Sequence, residues 1–276
     1  MTTKKVGVGL RPEHYQIIET TKPSIDFLEI HSENYFNQNS VNYYYLQQLS
    51  QHYPLSFHGI GLSLGSAEDV STTHLQQLKN LIDEFNPFLI SDHLSWSSLQ
   101  GTYFNDLLPV PYTRQSLSRF ISNINQVQDY LQKQIIIENP SSYLEYKETD
   151  IHEADFLNQI SEKTGCGLLL DINNVYVSAT NHHFSAQDYL NEINFEKIQE
   201  IHLAGHTRKE FEHGEILIDT HNDLVSQSVW QLYQNNINKI NDAVTLIEWD
   251  SDLPALPVLL NERDKAKQIL AGFNHE

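Results

Sequence analysis

Histidines and carboxylates recur at the ends of short apolar runs in this chain, and these side chains are common metal ligands. They are His58, Asp92, His93, Glu138, Asp171, His202, Asp219, His221 and Glu248. Imidazole and carboxylate ligands without sulfur suit Fe(II), Mn and Zn. Because buried carboxylates are costly when unpaired and repel one another, so many of them indicate bound cations. The series therefore predicts a multinuclear metalloenzyme, in which a carboxylate bridges neighbouring ions and the ions activate water or O2.

The elements that would position these side chains follow from the apolar runs. Short apolar runs between turn signals are typical of buried strands in a parallel sheet. The predicted strands are 6–10, 27–31, 55–59, 88–93, 135–139, 167–172, 200–205 and 245–249. The predicted helices are 40–52, 72–85, 112–132, 150–163, 185–197, 223–238 and 258–271, with a short first helix in 12–20.

Strands that alternate with helices in this way predict an α/β fold, a TIM (β/α)8 barrel with the metal site at the C-terminal ends of the strands. An open doubly wound sheet is the alternative, but ligands on so many successive strands favour a closed ring. Without a linker or a fixed repeat, the sequence predicts a single TIM-barrel domain over residues 1–276. The longer segments 94–111, 173–184 and 206–222 are predicted to be loops that shape the pocket.

Composition limits the partners and the compartment. The chain carries 36 acidic and 17 basic residues, a formal charge of −19, so we expect no nucleic-acid partner. Its one cysteine, Cys166, excludes an intramolecular disulfide and zinc sites built on two or more thiolates. With no signal-peptide core and no apolar run approaching ~18 residues, we expect a cytoplasmic protein without a membrane partner.

One competing motif is the nucleophile elbow G-x-S-x-G, which occurs at residues 61–65 with Ser63 at its centre. In an α/β-hydrolase this serine would be the nucleophile. Because the segment follows the predicted strand of His58, a glycine-rich loop explains it as well, and we favour that interpretation.

The order of the ligand types resembles the trinuclear metal site of endonuclease IV-like and xylose isomerase-like barrels. The series is His58, His93, Glu138, Asp171, His202, Asp219-x-His221 and Glu248. The resemblance implies a xylose isomerase-like barrel. Asn174 stands three residues after Asp171, where endonuclease IV has histidine, and this departure weakens the case for phosphodiester chemistry.

Longer motifs resemble the family called domain of unknown function 692, over residues 6–263. They are SFHGIGLSLGS, SDHLSWS, LLPVPYT, IENPSSYL, GCGLLLDINNVYVSATNH, EIHLAGH, DTHNDLVSQSVWQLY and LIEWDSDLPAL. Its best-understood members, including the methanobactin-biosynthesis oxidase, are multinuclear non-haem iron oxidases, and asparagine is usual at the position of Asn174. The resemblance implies an iron-dependent, O2-using oxidase that modifies cysteine residues of a ribosomally made precursor peptide, often with a partner protein that presents the peptide.

The same resemblance implies two or three iron ions and assigns their ligands. The first ion would use His58, His93 and Glu138, the second Glu138, Asp171, His202 and Glu248, and the third Asn174, Asp219 and His221. Zinc or manganese could occupy these positions in a recombinant preparation. We expect catalytic roles for Glu138, Asp171 and His206, with His206 facing the substrate. The alternatives are a metal-dependent hydrolase or isomerase, and a scaffold whose metals serve folding.

Overall fold

The computed structural model describes residues 4–212 and 214–272, so the predicted domain range also includes a few residues outside this part. Within it, eight parallel strands form a closed barrel. They are β1 (Val6–Gly9), β2 (Leu28–His31), β3 (Leu55–His58), β4 (Leu89–His93), β7 (Ile136–Glu138), β8 (Gly167–Asp171), β9 (Ile198–Leu203) and β12 (Val244–Ile247). Each strand pairs with the next of these in the chain, and β12 closes the ring by pairing with β1. The predicted TIM barrel is confirmed.

Helices connect the strands and lie outside the barrel. They are α1 (Tyr15–Thr21), α2 (Val41–Leu49), α3 (Thr72–Phe85), α4 (Arg114–Leu131), α5 (Glu153–Thr164), α6 (Ile172–His182), α7 (Ala186–Glu192), α8 (Gln227–Asn236) and α9 (Leu256–Gly272). Short 3-10 turns occupy Pro12–His14, Ser32–Tyr35, Phe195–Lys197 and Ile237–Lys239. Ser40, Ser71 and Ser185 cap α2, α3 and α7 by accepting backbone N–H groups. No helix in the described ranges is long and apolar enough to cross a membrane.

Two of the three predicted loops contain antiparallel hairpins. The first consists of β5 (Trp96–Leu99) and β6 (Thr102–Leu108), and the second of β10 (Thr207–Phe211) and β11 (Gly214–Ile218). Between β5 and β6, Gln100 and Gly101 both adopt left-handed φ angles, 50° and 75°. Successive left-handed residues give the tight turn that matches the twist of paired strands. The hairpins follow β4 and β9, so both begin close to the strand ends that carry the candidate ligands His93 and His202.

The third predicted loop, 173–184, is wrong, because most of it forms α6. The helix begins directly after β8, where the Asp171 carboxylate accepts the backbone N–H of Asn174 at 2.6 Å. An aspartate in this position replaces the missing acceptor of the first turn. Asparagines and β-branched residues have low helix propensity, which hid the helix in the sequence. The predicted helix 185–197 is also shorter than expected, since α7 ends at Glu192.

The apolar core fills the layer between the barrel and its helices. Phe57 on β3, Phe120 on α4 and Phe156 on α5 are fully buried there. The rings of Phe120 and Phe156 meet edge to face, with centroids 5.7 Å apart. Alternate strand residues point the other way, into the barrel. The described barrel therefore rests on an outer apolar layer, while its interior combines apolar residues such as Leu169 and Leu246 with the polar side chains that gather at its mouth.

Candidate metal centre

The first cluster of ligand side chains joins three successive strands at the mouth of the barrel. The Nε2 atoms of His58 and His93 both lie 3.3 Å from Oε2 of Glu138, and all three side chains are buried. Nδ1 of His93 lies 3.1 Å from the carbonyl oxygen of Gly59, and Nδ1 of His58 lies 2.7 Å from the hydroxyl of Ser91. If each Nδ1–H donates to that oxygen, both Nε2 lone pairs point at the same carboxylate oxygen.

The protonation of this first cluster suits a cation. Burial lowers the pKa of His58 well below its usual range, and the neighbouring His93 lowers it further. Burial also lowers the pKa of His93, to about 4. Both rings are therefore neutral near pH 7 and keep the lone pair that a metal needs. Burial raises the pKa of Glu138 well above its usual range, a cost that a bound cation would remove.

The second cluster brings Glu138 together with Asp171 and His202, with ligand atoms within 4.8 Å of one another. Nδ1 of His202 lies 2.9 Å from Oε2 of Glu248, and its Nε2 lies 3.4 Å from Oε1 of Glu29. Burial lowers the pKa of His202, but the carboxylates of Glu29 and Glu248 outweigh it and raise that pKa well above its usual range. A histidine held between two carboxylates is the usual setting of a metal ligand with an outer carboxylate partner.

The third predicted set is only partly brought together. Nε2 of His221 lies 2.6 Å from Oδ1 of Asp219, and its Nδ1 lies 3.2 Å from Oε2 of Glu248. Among the described residues, His221 forms a group of potential ligands with Asp171 and Glu248, whereas Asp219 belongs to no such group of three. Asn174 instead lies beside the first cluster, where its Nδ2 donates to Glu138 at 3.2 Å.

Several buried donor atoms of the centre lack a hydrogen-bond partner. They are Glu29 Oε1, Glu138 Oε2, Asp171 Oδ2, Asn174 Oδ1 and His202 Nε2, of which Glu29 Oε1 and His202 Nε2 face each other at 3.4 Å. Each such atom costs about 1–3 kcal/mol when left unsatisfied, and more when it is charged. Cations coordinated by these oxygens and nitrogens would remove that cost. The donor set therefore fits a multinuclear centre of Fe(II), Mn or Zn.

Sequence reasoning missed four polar residues around this centre, Arg11, Ser56, Glu200 and Asp250. The guanidinium of Arg11, at the end of β1, contacts Asp250 and lies 3.9 Å from Glu248. The hydroxyl of Ser56 lies 3.1 Å from the carboxylates of both Glu29 and Glu200 inside the barrel. A period of two would have found two of them, since Glu200 precedes His202 by two residues and Asp250 follows Glu248 by two.

Two further sequence candidates lie away from the ligand clusters. His206 precedes β10, and its Nδ1 lies 2.8 Å from Oδ1 of Asn173 while its ring packs on Tyr176. It is half-buried beside α6, and its catalytic role stays a prediction. The hydroxyl of Ser63 accepts the backbone N–H groups of Ser97 and Ser98 at 2.8 and 3.0 Å. These bonds assign Ser63 the task of anchoring the first hairpin, which favours the loop interpretation over a nucleophile.

Solved structures with the same fold come from several enzymes. The chain is similar to a xylose isomerase-like TIM barrel protein from Mycobacterium smegmatis, solved in complex with magnesium, at 12% identity and a TM-score of 0.62, covering 98% of this chain and 97% of that one. It is also similar to endonuclease IV from Thermus thermophilus, at 10% identity and a TM-score of 0.58, covering 97% and 99%. At such low identity these likenesses show the fold alone, a xylose isomerase-like barrel.

Sequence relatives are much closer. A UPF0276 protein of Psychromonas ingrahamii is 59% identical over 265 residues, which cover 96% of this chain and 93% of the relative. A UPF0276 protein of Vibrio parahaemolyticus is 53% identical over 266 residues, covering 96% and 92%. The sequence model of the RiPP precursor modification enzymes MbnB/TglH/ChrH, which act on ribosomally synthesised and post-translationally modified peptides, matches residues 5–271. This chain therefore belongs to the MbnB/TglH/ChrH family of RiPP precursor modification enzymes.

Proposed function

We propose that this chain is a multinuclear non-haem iron enzyme that uses O2 to oxidise cysteine residues of a RiPP precursor peptide. The observation that carries the proposal is the pair of ligand clusters that share Glu138, with buried donor atoms left without partners. Family membership supports a peptide substrate. The oxidation by O2, the use of iron and the reaction at cysteine go beyond what family membership supports.

The donor atoms and the thiol inventory support iron and an external cysteine. Nitrogen and oxygen ligands suit Fe(II), and bound iron would supply a redox centre that ligates a thiolate and passes electrons to O2. The reacting thiol has to come from the substrate, because Cys166 is buried and its burial raises the pKa to about 11. A thiol so rarely ionised is inert.

The roles of the protein side chains follow from their positions. His58, His93 and Glu138 would hold the first ion, and Glu138 would bridge to a second ion held by Asp171, His202 and Glu248. Asn174, Asp219 and His221 would hold a third. Because His221 lies against Asp219 and Glu248, this last position requires its ring to exchange a carboxylate contact for the ion.

The mouth of the barrel would orient the peptide and exclude water from the reacting thiol. Hairpins β5–β6 and β10–β11 rise from the ends of β4 and β9, next to His93 and His202. His206, half-buried at the start of β10, is placed to contact a substrate or move a proton at its free Nε2 atom. A separate protein that presents the peptide is part of the proposal.

The test is O2 uptake by protein purified without air and loaded with ferrous iron. The substrate is a short synthetic cysteine-containing peptide, and its twin has serine in place of each cysteine. We expect O2 uptake that requires the cysteine peptide and is lost in His58→Ala, while the surface variant Glu162→Ala keeps it. Zinc as the resident metal together with phosphatase activity would instead establish the hydrolase alternative.

A further inference from the structure

A cavity of about 540 Å³ lies beside the barrel mouth and shares no residue with the ligand clusters. Its walls come from the loop 140–152 after β7, the start of α5, the end of α6 and α7. This volume is enough to enclose a long side chain and part of the peptide backbone that carries it. The proposed oxidation does not use it.

The cavity is acidic and aromatic. Its carboxylates are Glu145, Glu153, Asp188 and Glu192, and its rings include Tyr112, Tyr146, Phe184 and Tyr189. Among the described lining residues none is lysine or arginine. Aromatic faces and carboxylates both attract cations, and arginine in particular stacks on such rings while it pairs with carboxylates.

Glu153 is the least exposed of these four carboxylates, and two tyrosines fix it in place. Tyr112 donates its hydroxyl to Oε2 and Tyr189 donates its hydroxyl to Oε1, both at 2.8 Å. Burial raises the pKa of Glu153, while the two hydroxyl donors oppose that shift. In the described part of the chain no lysine, arginine or histidine forms an ion pair with this carboxylate. An oriented, shielded anion without a countercharge is a receptor for a cation.

The position of the cavity relates it to the metal centre. On α6, Ser178 and His182 line the cavity and lie four and eight residues beyond Asn174. At about 1.5 Å of rise per residue, these positions are roughly 6 and 12 Å along the helix from Asn174. An extended peptide covers about 3.3–3.6 Å per residue, so roughly two residues span the shorter distance and roughly three or four span the longer one, to His182.

We propose that this cavity binds an arginine or lysine side chain of the precursor peptide, about three or four residues from the reacting cysteine. The inference rests on the proposed function in one respect, that the substrate is a peptide with its cysteine at the barrel mouth. It adds a recognition site for a cationic residue, separate from the metal ions.

The test compares two peptides that differ in charge alone. Each is a capped heptapeptide with a central serine in place of cysteine and two glycines on either side. One has arginine at both ends, and the other has citrulline, which keeps the shape of arginine without its charge. We expect the iron-loaded protein to bind the arginine peptide about tenfold more tightly by calorimetry.

Matched variants separate the cavity from the general acidity of the chain. Glu153→Gln, and independently Glu145→Gln combined with Asp188→Asn, should remove the preference for arginine. The control, Glu162→Gln combined with Asp129→Asn, removes two exposed acidic charges outside the cavity and should keep it. Equal binding of both peptides, or a preference that survives in the cavity variants, would overturn the proposal. If Glu153→Gln does not fold, the double variant decides the question by itself.

Failure of the proposed function is distinguishable from failure of the cavity site. Binding of the serine peptides reports on the cavity, whereas O2 uptake with a cysteine peptide reports on the oxidation. Arginine preference without O2 uptake would keep the cation site and reject the oxidase. O2 uptake without arginine preference would keep the oxidase and reject the cation site.

Discussion

The mouth of the barrel and the apolar layer around it are equally buried, but their side chains differ in what they lack. In the layer, the buried rings of Phe120 and Phe156 contact each other and need no partner beyond van der Waals packing. At the mouth, buried atoms of Glu138 and Asp171 have no hydrogen-bond partner. The layer is complete by itself, whereas the mouth contains buried polar atoms that the proposed cations would satisfy. Substitutions should therefore separate stability from metal binding.

The largest effect is expected from Glu138→Ala, since Glu138 belongs to both ligand clusters. The metal affinity of this variant should fall by more than the roughly 10–100-fold that loss of an outer hydrogen-bond partner costs. Because it also removes a buried carboxylate, the metal-free variant should be at least as stable as the metal-free parent. Metal titration and denaturant unfolding measure the two quantities. Full metal content in this variant would disprove the assignment of Glu138.

Phe120→Ala in the apolar layer should lower stability and leave metal affinity unchanged. Truncating a buried phenylalanine lowers the free energy of unfolding by about 3–5 kcal/mol. Metal affinity of the folded variant should stay unchanged, because Phe120 lies on α4, away from the ligands. Phe211→Ala is the matched control, since that ring is 65% exposed and its loss should cost little. A fall in metal affinity as large as that of Glu138→Ala would erase the distinction between the two regions.

An intermediate effect is expected from Glu29→Gln, which keeps the shape of a carboxylate that faces His202 at 3.4 Å. Outer carboxylates orient a histidine ligand and raise its basicity, so metal affinity should fall about 10–100-fold. Glu162→Gln on the surface of α5 serves as the control. Unchanged affinity in Glu29→Gln would mean that His202 needs no such partner, or that it is not a ligand.

The smallest effect is expected from Ser63→Ala, which removes the acceptor for two backbone N–H groups of the first hairpin. Only the N–H of Ser97 is fully buried, and an unsatisfied buried group costs about 1–3 kcal/mol, so stability should fall by about that amount. Metal content should remain at the level of the parent. Faster hydrogen exchange at Ser97 and Ser98 would report the loosened hairpin. A complete loss of O2 uptake with an intact hairpin would instead revive the nucleophile interpretation.

The barrel could be predicted from the sequence because each strand is a short apolar run between turns. Helix α6 could not, since Asn173, Asn174 and Val175 favour other conformations and the cap from Asp171 depends on the end of β8. The hairpins were missed for a related reason. Their polar residues carry little periodicity, and the pairing depends on a turn such as the one at Gln100 and Gly101.

The clustering of His58, His93, Glu138, Asp171 and His202 could be predicted because these residues stand directly at strand ends. Glu200 and Arg11 could not, since their contacts with Ser56 and Asp250 join strands far apart in the chain. The position of Asn174 was also beyond the sequence. The spacing places it after Asp171, but only the start of α6 directs its amide towards Glu138.

Metal analysis of the protein purified without air tests the central claim most directly. We expect about two to three equivalents of iron per chain, held by nitrogen and oxygen ligands. We also expect that Glu138→Ala removes most of this iron while Phe120→Ala removes none from the folded protein. A protein that is fully folded and contains no stoichiometric metal, or that keeps its metal without Glu138, would contradict the claim.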